Sequence, residues 1–62
     1  MDKPKCKLIG QDGNIFNLMS IASRTLKSAG LQEQAEEMIE RISNSGNYHE
    51  ALGIIMEYME VE

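Results

Sequence analysis

Apolar and polar residues alternate with a period of two from Lys5 to Ile9, where Cys6 and Leu8 face one way and Lys5, Lys7 and Ile9 the other. That period predicts a short strand over 5–9, which Pro4 separates from anything helical before it. The next five residues, Gly10 to Asn14, are turn formers: Asp12-Gly13 favours a tight reversal, and Asn14 is a good N-cap. From Ile15 the rhythm changes to the helical one. Ile15, Leu18, Met19, Ala22, Leu26 and Ala29 form one stripe, and Gly30 is a natural C-terminal stop. A second amphipathic helix is predicted from about Leu31 to Ser43, with Leu31, Ala35, Met38, Ile39 and Ile42 inward and Gln32, Glu33, Glu36, Glu37, Glu40 and Arg41 outward. Asn44 to Asn47 breaks the pattern. Asn47 then caps a third helix, Tyr48 to about Met59, with Glu50 completing a loose capping box.

The third helix is apolar on more than one stripe. Ala51, Leu52 and Met56 satisfy an intramolecular core in this reading, which leaves Ile54, Ile55, Tyr58 and Met59 for a contact with another copy of the chain. The closing Glu60-Val61-Glu62 fits either pairing with the first strand or a frayed end, and residues 1–4 are expected to lie outside the ordered body. The fold expected is a single small domain over 1–62, α+β or mainly α: a short N-terminal strand, then three helices, assembled as a homo-oligomer.

Length and composition sharpen that expectation. A chain of 62 residues buries only about 60% of its unfolded surface. At 42% hydrophobic and 26% charged it lies in the globular range, which argues against wholesale disorder. With one cysteine, Cys6, and one histidine, His49, it lacks the disulfides or zinc that staple many small domains, so self-association is the remaining device. No membrane-length apolar run and no signal-peptide pattern is present, which points to a reducing cytosol and no membrane partner.

The net charge of −4 conceals a division. Met1 to Gly30 holds five basic residues against two acidic ones, whereas Leu31 to Glu62 holds Arg41 alone against eight glutamates. Overall negative charge works against direct nucleic-acid binding, while a local basic patch still suits one small anion.

Catalytic and metal chemistry find little support. Cys6 and His49 lie far apart with no orienting acid, Glu33, Glu36, Glu37 and Glu40 read as a solvated face, and Gly10-Gln11-Asp12-Gly13 is only an echo of a phosphate loop. No enzyme activity, metal or cofactor is expected. One face of the first helix is more informative. Opposite its core stripe it gathers Asn17, Ser20, Ser23, Arg24, Lys27 and Ser28, flanked by Phe16 and Ile21, with Asn14 at the helix start. Hydroxyls, an amide, two cations and an aromatic ring together suit a nucleotide-like anion: Arg24 and Lys27 on phosphate, Asn14, Asn17, Ser20 and Ser23 as polar contacts, Phe16 stacking on a base. The structural alternative is that Phe16 and Ile21 pack against the strand or a second subunit.

The run from Cys6 to Met19, the run from Ile21 to Lys27 and the later Tyr48-His49-Glu50-Ala51-Leu52 resemble a family of very short uncharacterised proteins carried by bacteriophages and mobile elements. The resemblance transfers no activity to any residue. It implies a context in which tiny proteins act on a host by binding, either as a sponge for a nucleotide signal or by covering a host protein, for which the acidic face of helix two would imitate nucleic-acid charge.

Overall fold

The computed structural model describes residues 3–62. It contains β1 (Lys5–Cys6), α1 (Ile15–Ser28), α2 (Gln32–Ser43), α3 (Tyr48–Tyr58) and β2 (Glu60–Val61). The two short strands pair in parallel, Lys5 opposite Glu60 and Cys6 opposite Val61, so the three helices form the crossover between them. Backbone bonds extend the pairing beyond both strands. Glu60 N donates to the Pro4 carbonyl at 2.9 Å, Glu62 N to that of Cys6 at 2.8 Å, and Leu8 N to that of Glu62 at 2.7 Å. Cys6 and Leu8 are buried and Lys5, Lys7 and Ile9 exposed, as the alternation predicts. The C-terminal residues therefore pair instead of fraying. Of residues 1–4, expected outside the ordered body, Met1 and Asp2 lie outside the described residues; Pro4 belongs to the ladder, and Lys3 Nζ donates to the Met56 carbonyl at 3.2 Å.

The reversal after β1 comes earlier than Asp12-Gly13. Gln11 N donates to the Leu8 carbonyl at 3.1 Å with Gly10 at φ +91°, a left-handed conformation that glycine adopts without strain. The residues after it build the start of α1: Asp12 Oδ1 accepts from Asn14 N at 3.0 Å, and Asn14 Oδ1 from Phe16 N at 2.9 Å. At the other end, Gly30 at φ +78° closes a Schellman motif, with Leu31 N bonded to the Leu26 carbonyl at 2.9 Å and Gly30 N to that of Lys27 at 3.0 Å. This tight turn folds α2 back along α1.

The core joins Cys6 and Leu8 of the strand region to Leu18, Ala22 and Leu26 of α1, Ala35, Met38 and Ile42 of α2, and Ala51, Ile54, Ile55, Tyr58 and Met59 at the C-terminal end. Here the reading of the third helix is corrected. Ile54, Ile55, Tyr58 and Met59, assigned from sequence to a contact between copies, are core residues of the single chain, while Met56, assigned to the core, is 54% exposed. The reason is periodicity: Ala51, Ile54, Ile55 and Tyr58 fall at i, i+3, i+4 and i+7, the stripe one helix can bury, whereas Ala51, Leu52 and Met56 do not. Met59 follows the helix in extended backbone and is fully covered beside β2. Beyond its first turn, the non-polar positions that α3 leaves outward are half-buried Leu52, exposed Gly53 and exposed Met56.

Candidate functional site

Helix α1 has neighbours on two sides. Its Ile21–Thr25 side meets β1, where Thr25 Oγ1 lies 3.5 Å from Cys6 Sγ, and its Met19–Ser23 side meets α2. Two grooves follow the second seam. The first, of about 260 Å³, is lined by Met19, Ser20, Ser23, Arg24 and Lys27 of α1 and by Ile39 of α2. Four of the seven predicted ligand residues therefore share one recess. Among the described residues, neither Arg24 nor Lys27 has an ion pair or a side-chain hydrogen bond, although Lys27 also sits in the last turn of α1, where the helix dipole favours a cation. Ser23, expected on the solvent side, is 6% exposed, because the buried arc of α1 is widened by α2.

The other three predicted residues lie elsewhere. Asn14 is committed to the cap. Asn17 Nδ2 donates to the Asp12 carbonyl at 2.9 Å and straps the preceding loop to the helix. Phe16 is 71% exposed and lines the second groove, of about 420 Å³, with Ile15 and Met19; its other walls are Ile42 and Ser43 of α2, the loop Ser45–Asn47, and Tyr48 and Ala51 of α3. Met19 is common to both grooves. Sequence reading missed Tyr48, 47% exposed at the first position of α3. A large aromatic residue off the apolar stripe was the available signal.

On the far side of α2 lies a third groove, about 600 Å³, lined by Glu37, Glu40, Arg41, Asn44, Glu50, Ile54 and Glu57. Its one cation is internally committed. Arg41 Nη1 and Nη2 donate to the two carboxylate oxygens of Glu57 at 2.9 Å each, Nη1 also reaches Tyr58 Oη at 3.2 Å, and the guanidinium lies 5.6 Å from the centre of the Tyr58 ring. Tyr58 Oη in turn donates to Glu37 Oε1. These bonds raise the Arg41 pKa, chiefly through Glu57, and lower that of Glu57 through Arg41. Burial, with the Glu37 bond second, pushes the Tyr58 phenol up. Glu37, read from sequence as solvated, is therefore a bonding partner between helices.

No family model, curated protein or solved structure matches this chain, so its chemistry is read from its own residues. Among the described residues no three His, Cys, Asp or Glu side chains converge as a metal site requires, and no helix is long and apolar enough to cross a membrane.

Proposed function

We propose that this protein is a non-catalytic binder of a small, phosphate-bearing, nucleotide-like ligand, held in the seam between α1 and α2. The observation that carries this reading is the convergence of two uncommitted cations, Arg24 and Lys27, with the hydroxyl residues Ser20 and Ser23 in one recess. Charge-assisted hydrogen bonds from such groups are among the stronger ones available to a protein surface, and a guanidinium matches phosphate oxygens two at a time. In the phage or mobile-element context that its residues resemble, such a binder acts as a sponge for a host signal.

A thermal-shift series with pyrophosphate, mononucleotides and dinucleotides tests the reading. A ligand that binds only the folded state adds about 2.7 kcal/mol at one hundred times its Kd, which for a domain this small raises Tm by roughly 10 °C or more. Absence of any shift throughout the series counts against it. A second reading rests on the acidic groove, where Glu50 and Glu57 of α3 join Glu37 and Glu40 of α2. That face would engage a basic host protein in place of nucleic acid. Binding to an immobilised polycationic peptide that survives Arg24→Ala but is lost on reversing Glu40 and Glu50 would favour it.

A further inference from the structure

We propose that the two grooves along the α1–α2 seam are halves of one site, whose ligand carries a nucleobase and, at some distance from it, a phosphate. This rests on the phosphate-binding reading of the Arg24–Lys27 groove and adds the second half. The cationic groove, at about 260 Å³, falls short of the roughly 300 to 1,000 Å³ usual for organic ligands, though it suits a phosphate group. Its neighbour, at about 420 Å³, lies within that range. Met19 lines both, and Phe16, Ser20, Ser23 and Lys27 fall along one face of α1, so the passage between them follows a single helix.

The chemistry of the second groove fits a planar ring with a polar edge. Phe16 and Tyr48 are two of the four large apolar side chains that the described structure leaves exposed, and both line it, one from α1 and one from α3. Aromatic faces accept any base by stacking. The groove's polar residues are already half committed. Ser43 Oγ donates to the Ile39 carbonyl at 2.9 Å and Ser45 Oγ to that of Ile42 at 2.6 Å, which leaves both hydroxyl oxygens as acceptors. Asn47 Oδ1 accepts from Glu50 N at 2.8 Å, which leaves its amide NH2 as a donor. Acceptors beside a donor complement a nucleobase edge, where an N–H adjoins a ring nitrogen or carbonyl. Charge is complementary as well, since the free cations lie at the far end of the seam.

Distance then selects among nucleotides. Phe16 and Arg24 are eight residues apart on one helix, roughly 12 Å along its axis. A nucleoside monophosphate, with a single sugar between base and phosphate, covers only part of that span and would rely on the Arg24 side chain reaching back toward Phe16. A nucleoside polyphosphate or a dinucleotide spans the gap.

The test is a titration of the full chain with AMP, ATP, the dinucleotide pApA and inorganic pyrophosphate, followed by calorimetry and by NMR of the aromatic and arginine side chains. The chain holds one phenylalanine and two tyrosines, so the ring signals assign readily. ATP or pApA is expected to bind at least tenfold more tightly than AMP and to shift Phe16, Tyr48 and Arg24 together; the tighter of the two identifies which source of the shared chemistry the site prefers. Phe16→Ala, a change at an exposed position, should weaken that ligand about tenfold and leave pyrophosphate binding unaltered. If ATP and pApA shift Arg24 but neither Phe16 nor Tyr48, or bind no better than AMP, the two-part site is wrong while the phosphate groove stands. If pyrophosphate, ATP and pApA all leave Arg24 and Lys27 unshifted, the phosphate reading itself falls.

Discussion

The protein has two arginines, on opposite sides of α2. Arg41 faces α3 and is held by Glu57 and Tyr58. Arg24 faces the α1–α2 seam beside Lys27, two serines and no acid. Both helices that carry these arginines present amphipathic sequences, so the difference is one of surroundings. Where the chain supplies carboxylates across a helix pair, a cation becomes a cross-link between α2 and α3. Where it supplies hydroxyls, the cation is left without a carboxylate partner among the described residues. Substitutions can break this contrast or sharpen it.

The largest effect is expected at the common support. Leu26, on the inner face of α1, is fully buried, and Leu26→Ala should cost about 2 to 5 kcal/mol, enough to unfold much of so small a domain. Urea denaturation followed by circular dichroism would measure it. A loss well below 1 kcal/mol would mean that the grooves do not share one core.

Next comes the cross-link. Tyr58→Phe removes the hydroxyl that joins Glu37 to Arg41 and should cost about 1 kcal/mol. Its pH signature is specific. Because the folded phenol titrates above its unfolded value of about 10, its stabilisation is complete below that pH and is lost as pH rises through the folded pKa. The alkaline loss of stability should therefore shrink in Tyr58→Phe. Glu57 has the opposite sign. Its depressed pKa gives stability present above the ordinary carboxylate value and lost as pH falls through the folded one, so Glu57→Gln should flatten the acid limb. Equal pH profiles for all these variants would show that the network does not couple to folding.

Smaller still is Gly53→Ala. Gly53 lies in the middle of α3, exposed, with open space where a Cβ would stand, so alanine should stabilise the helix by about 0.5 to 1 kcal/mol. Destabilisation instead would reveal a second copy packed on the Leu52–Met56 face. The smallest change is expected for the pair Glu33→Lys and Glu36→Lys, within about 0.5 kcal/mol, since both are exposed and neither is bonded to another side chain among the described residues.

How legible all this was in the sequence depended on range. Asn14, Asn47 and Gly30 act within three or four residues of themselves, and the caps and the turn they predict are present. The rotation of α3 was harder, because its apolar residues fill more than one stripe and the choice among them is made by α2 and the strands. Glu37 and Tyr58 are 21 residues apart, and β1 pairs with a segment at the other end of the chain. The first leaves no local signal; the second left only the alternation of Glu60-Val61-Glu62, which fitted a frayed end equally well. Of the residues lining the grooves, the grouping of Arg24, Lys27 and Ser20 was readable from helical spacing, whereas the burial of Ser23 depends on α2 and the place of Phe16 on Tyr48, which only the packing of α3 brings near it.

Arg24 bears the central claim, and calorimetry with ATP on the parent, Arg24→Ala and Arg24→Lys tests it most directly. A charge-assisted hydrogen bond of roughly 1.5 to 3 kcal/mol predicts at least a tenfold loss for Arg24→Ala. Arg24→Lys should recover part of it, since lysine keeps the charge but not the planar fork. Circular dichroism confirms that each variant is folded. If folded Arg24→Ala binds ATP as tightly as the parent, the α1–α2 seam is not a phosphate site, and the contrast between the two arginines carries no functional meaning.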